Sequence, residues 1–179
     1  IDEANALGSL NLDAGAGSIT LTAGGMVLDG DTALDIRANT FTGVNTGDFG
    51  AQGGGDNSID TMVTNLNVDT TSNAANGSQW IDEADGVSSL NLNAGSGNIT
   101  INSGGTVTDG DADADIRATT FTATIEGAFG ALGGGDNSID TTVTNLNLDT
   151  TSNQSIGEAG GSTTLSLNAG VGTNTLHTA

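Results

Sequence analysis

Apolar and polar residues alternate in short strings along most of this chain. "SLNL", "SITLTAGG", "LDIRA" and "TVTNLNLDT" set Leu, Ile, Val or Ala singly between polar residues. Period-two alternation is the mark of β-strands, which send successive side chains to opposite faces. Gly pairs and clusters of Asn, Asp, Ser and Thr interrupt the strings every several residues, as turns require. No apolar stripe of helical period outlasts one turn, so the pattern predicts an all-β fold with almost no helix.

The alternating strings are themselves repeated. "IDEANALGSLNLDAGAGSIT" at 1–20 returns as "IDEADGVSSLNLNAGSGNIT" at 81–100, an offset of 80 residues (Ile81 against Ile1). "DIRANTFT" at 35–42 returns as "DIRATTFT" at 115–122, and "GGGDNSID" at 53–60 returns at 133–140. A third copy starts with "IGEAGGSTTLSLNAGVG" at 156–172, after "AANGSQW" at 74–80 has shortened to "QS" at 154–155. The chain thus divides into copy one (1–80), copy two (81–155) and the start of copy three (156–179). It is expected to be one continuous array, cut from a longer protein.

Two architectures suit short strands in a repeat of this size. One is a row of tandem β-sandwich modules, each with its own core. The other is a β-solenoid, in which each strand pairs with the strand one coil earlier. Each copy has two Phe, few large side chains for a private sandwich core, and tight Gly-rich connections, so the solenoid is the expected fold. At about 20 residues per coil, a copy takes about four coils, and identical residues lie about 19 Å apart along the axis. Phe41, Phe49, Phe121 and Phe129 recur at the repeat offset and are expected inside, whereas Trp80 occurs once.

The strings "SLNLDAGAGSITLTAGG" and "SLNLNAGSGNITINSGGTV" resemble the coils of filamentous-haemagglutinin-like proteins and giant repetitive bacterial surface adhesins. The resemblance covers these coils well and "GGGDNSIDTTVTNLNLDTTSN" poorly. It implies a right-handed parallel β-helix, exported to the outer surface of a Gram-negative cell. It also implies a structural and adhesive role in a long fibre, with self-association end to end or side by side and contacts to cell surfaces or glycans.

Composition narrows the partners. There are 22 acidic residues against two Arg, a net charge of −20. Nothing here neutralises phosphates, so nucleic acid is not an expected partner. No long apolar run predicts membrane insertion. The absence of Cys removes disulfides and thiolate metal sites. With two Arg, no Lys and no Tyr, the chain lacks the basic clusters of a carbohydrate-cleaving β-helix, and it is not expected to be an enzyme.

The acidic residues raise one cofactor, Ca2+. "GGGDNSIDT" resembles the glycine-rich calcium nonapeptide, with Asp56 and Asp136 where that motif carries Gly. It occurs once per copy and not in tandem, so a Gly-Asx turn is the expected role and a calcium-stabilised secreted module the alternative. "DGDADADIR" puts Asp109, Asp111, Asp113 and Asp115 at alternate positions, and "DGDTALDIR" keeps only Asp29, Asp31 and Asp35 of these. On a strand they would share one face, a solvated acidic face or a weak hard-cation ladder. Arg37 and Arg117 are expected to pair with Asp35 or Glu3 and with Asp115 or Glu83. A remote alternative, ice binding, needs Thr-x-Thr in every coil, and here it recurs unevenly, at 20–22, 40–42 and 120–122.

Overall fold

A computed structural model describes residues 1–52, 57–74, 76–109, 113–132 and 137–178. Thirteen strands form a single sheet in which every pairing is parallel. They are β1 (Asp2–Glu3), β2 (Leu12–Asp13), β3 (Ser18–Ala23), β4 (Ile36–Asn45), β5 (Ile59–Asp69), β6 (Gln79–Glu83), β7 (Ser89–Asn93), β8 (Asn98–Ser103), β9 (Ile116–Ile125), β10 (Ile139–Thr150), β11 (Gln154–Glu158), β12 (Thr164–Asn168) and β13 (Asn174–Thr178). No helix is among the described residues. The chain is a parallel β-solenoid of about seven turns, with about 22 residues in each.

The ladders cross the boundary between copies without a break. β5 of copy one carries on one edge β6, which spans the boundary, and β7 of copy two, with Ile59 opposite Ile81 and Leu66 opposite Leu90. Modules with separate cores are therefore not what the sequence builds. Inward positions of successive turns stack into one apolar column, in which all four Phe are fully buried. Phe41 and Phe49 meet across the interior with ring centroids 5.8 Å apart, and Phe121 and Phe129 repeat the contact at 5.8 Å.

The copy and the turn do not keep step. One lane of partners runs Leu7, Val27, Phe49, Gln79, Ile99, Phe121, Leu146 and Leu165. Val87, the counterpart of Leu7 one copy later, is absent from it. Val87 heads a second lane through Val107, Phe129, Gln154 and Asn174. A copy thus takes about three and a half turns rather than the four expected. Identical residues of successive copies face opposite sides of the rod.

Two features set the length of a turn. The first is the long strands, which bend round a corner without a visible turn and shorten the path there: Leu12 and Ile19 pair with Ile36 and Phe41, so the bent strand rounds the corner in fewer residues than the explicit turn. In β4 the inward–outward alternation slips at Asn39–Thr40, and in β5 at Thr64–Asn65, where two successive residues both point outward. Elsewhere the same corner is an explicit turn, as at 94–97, closed by Gly97 N donating to Ala94 O at 2.7 Å. Polar side chains ladder along the bent corners: Asn65 Nδ2 donates to Thr40 Oγ1 at 3.0 Å, and Asn145 Nδ2 to Thr120 Oγ1 at 3.2 Å.

The second is a pair of loops. Phe49 lies opposite Gln79 and Ile59 opposite Ile81, so the chain leaves the strand line after Phe49 and rejoins it at Ile59, across the position of Trp80. Ala51 N donates to Asn57 O at 2.8 Å and closes the base; Ala131 N to Asn137 O at 2.7 Å does the same in copy two. Residues 53–56 and 133–136 of the GGGDNS stretches, Asp56 and Asp136 among them, lie outside the described set. Gly50 enters its loop at φ 78°, a left-handed conformation suited to Gly. Trp80 sits half-buried on the outer face of β6.

The doubled glycines mark the tightest corner. A Cβ on Gly105 would collide with the carbonyl oxygen of Asp85, one turn below. Gly8 has open space around the same point. Gly105→Ala is expected to cost at least about 2 kcal/mol, whereas Gly8→Ala stays within about 0.5 kcal/mol, by urea denaturation.

Candidate functional site

The acidic residues do not form the ladder that alternation predicts. The segments before β4 and β9 are irregular among the described residues. Asp side chains there satisfy the backbone locally and compete with strand pairing. Asp29 Oδ1 accepts from Gly30 N at 2.5 Å and from Asp31 N at 3.1 Å, and Asp31 Oδ1 accepts from Ala33 N at 2.8 Å. As a result Asp29 and Asp35 turn inward and are buried, while Asp31 stays exposed. In copy two Asp109 and Asp115 are likewise buried and Asp113 is exposed. Asp56, Asp111 and Asp136 lie outside the described residues.

A residue with no role in the sequence reading completes the group. Ile36 pairs with Thr61, which brings Asp60 of the following turn beside Asp35. Asp60 N donates to Asp35 Oδ2 at 2.9 Å, and Asp35 N donates to Asp60 O at 3.0 Å. Oxygens of Asp29, Asp35 and Asp60 all lie within 4.8 Å of one another. Burial raises the Asp35 carboxyl to about 7; the Asp60 amide opposes this, and the neighbouring Asp29 and Asp60 charges add to it.

The Arg side chains pair otherwise than expected. Parallel register sets Arg37 opposite Asp13, and their charged groups meet at 3.9 Å on the exposed face. Asn93 takes the place of Asp13 in copy two, and Arg117 Nη1 donates to Ala114 O at 2.9 Å. Asp35 and Glu83, the partners expected for these cations, are buried in the interior and are held by hydroxyls and backbone amides.

Glu83 belongs to a polar stretch of an inward lane that runs Ile36, Thr61, Glu83, Ser103 and Ile125. Thr61 Oγ1 donates to Glu83 Oε2 at 2.7 Å, and Val63 N lies 3.3 Å from both carboxylate oxygens. Glu158 repeats the contact with Thr141 Oγ1 at 2.6 Å. A groove of about 480 Å³ runs along this corner, lined by Asp60, Thr61, Asp82, Glu83, Asn102 and Ser103 among others. Its walls offer carboxylates, hydroxyls and an amide, with no cation among the lining groups, so it suits positively charged or hydroxyl-bearing ligands. Sequence reasoning passed over Glu83 as a core residue. The signal was present in "IDE", where Ile81 faces inward and period two sends Glu83 the same way.

Burial pushes the Glu83 carboxyl up to about 8, although the Thr61 hydroxyl favours its ionised form. A group whose pKa rises on folding stabilises the fold fully below its unfolded value, near 4.5, and that stability is lost as pH climbs through about 8. The unfolding free energy, and with it the urea midpoint, is expected to fall between pH 5 and pH 9, this group contributing at most about 1.4 kcal/mol per pH unit. Glu83→Gln should flatten that slope. A midpoint as high at pH 9 as at pH 5 would contradict the assignment. In comparisons with known proteins, no family, no curated protein and no solved structure matches this chain.

Proposed function

We propose that this chain is a structural and adhesive segment of a very long, repetitive fibre at the outer cell surface, of the filamentous-haemagglutinin-like kind. The observation that carries the reading is the unbroken parallel ladder, which passes from copy to copy with no private core in any. Such a rod lengthens by adding turns, and its stability comes from nearest neighbours, the logic of a spacer or fibre. The acidic surface, at a net charge of −20, favours an extended, soluble rod.

Self-association is part of this reading. The threonine lanes support a structural role over ice binding. Thr20 stacks on Thr42, but the next two positions of that lane are Asn67 and Asn91.

Electron microscopy of the native material tests the proposal. Long, uniform fibres on the cell surface or shed from it are the expected result. Discrete globular particles, or a protein retained inside the cell, would overturn it.

A further inference from the structure

The Asp29, Asp35 and Asp60 group poses a problem of neutralisation. Asp29 and Asp35 belong to one turn and Asp60 to the next. Asp35 Oδ2 is held by the Asp60 amide, and Asp29 Oδ1 by the amides of its own turn. Asp29 Oδ2 has no donor. It is fully buried, on a residue only 8% exposed, and it is the oxygen left open to the cluster. Like charges this close in a low-dielectric setting require either a shared proton or a bound cation.

We propose that Asp29, Asp35 and Asp60 form a binding site for a hard divalent cation, Ca2+, that clips two successive turns of the solenoid together. The donor set contains only oxygen, since the chain has no Cys and its single His, His177, lies in β13. Oxygen donors select hard cations. Ca2+ accepts irregular shells of six to eight oxygens, whereas Mg2+ demands a near-ideal octahedron. Three carboxylates drawn from an irregular segment and a neighbouring strand fit the looser demand. Asp60 is half-buried and lines the corner groove together with Thr32, Leu34 and Thr61, which gives an ion a route from solvent.

The residues recur one copy later as Asp109, Asp115 and Asp140, and Asp140 N donates to Asp115 Oδ2 at 2.7 Å, but among the described residues only the copy-one trio brings its carboxylate oxygens within 4.8 Å of one another. This inference does not depend on what the fibre touches.

The test is calcium titration of the chelator-treated full chain by calorimetry, with melting curves at matched ionic strength. The expected result is saturable binding with a Kd of about 0.1–1 mM and a melting midpoint raised by millimolar CaCl2 but not by NaCl. Mg2+ should bind more weakly. The pair Asp35→Asn with Asp115→Asn should weaken binding by at least about tenfold and abolish the calcium-dependent shift. Asp31→Asn, at an exposed neighbour, should bind as the parent does. If the first pair fails to fold, Asp60→Asn with Asp140→Asn, at half-buried positions, serves instead. No binding heat, a midpoint that NaCl raises equally, or undiminished binding in the folded double variant would overturn the proposal and leave a shared proton as the neutralising charge.

Discussion

Everything in this molecule follows from the parallel ladder between one turn and the next. A backbone amide in any turn finds its acceptor about 4.8 Å along the axis, so each turn must repeat the outline of the last. Side chains on the inside then stack on counterparts of similar size, and large ones need room made for them across the interior. Phe41 meets Phe49 within a single turn, where Gly43 lies against the Phe41 ring. The corner glycines obey the same rule. Where two backbones stack at a sharp bend, as Gly105 does over Asp85, there is no space for a Cβ.

The half-integral turn count has a structural cause and a structural effect. A solenoid with two comparable sides tolerates it, because either side accepts the same strand. Residues 89–93 take up on one side the place that residues 9–13 hold on the other: Leu12 pairs forward with Ile36, and Leu92 with Ile116, in equivalent local settings on separate lanes. The effect is a rod whose two equivalent loop bases, closed by Ala51 N on Asn57 O and by Ala131 N on Asn137 O, lie on opposite sides.

The alternation in the sequence made the strands, the interior Phe and the solenoid legible, because those depend on period two and on Gly placement alone. One corner of the turn was hidden by the bent strands. "DIRANTFTGVN" reads as one strand, and only the slip at Asn39–Thr40 reveals that it rounds a corner. The loops after Phe49 and Phe129 were hidden for a related reason: each leaves and rejoins the same strand line, which no local pattern records. The aspartates misled because Asx hydrogen bonds override alternation, burying Asp35 and Ile36 side by side. Register decided the ion pair, since Asp13 reaches Arg37 only once the turns are stacked.

The buried acids address a weakness peculiar to repeats. A strand displaced by a whole turn keeps its alternation, its corners and most of its apolar contacts, so hydrophobic burial discriminates poorly among such registers. The lane Ile36, Thr61, Glu83, Ser103, Ile125 discriminates well. Glu83 in its own place meets the Thr61 hydroxyl and the Val63 amide, whereas beside Ile36 or Ile125 it would bury a carboxyl without a donor. Polar contacts that add little net stability can therefore fix which turn lies on which. The same reasoning covers Asp35, whose only correct neighbour in the next turn is the Asp60 amide. A repetitive rod needs such marks more than a globular domain does, because its sequence offers so many near-equivalent ways to stack.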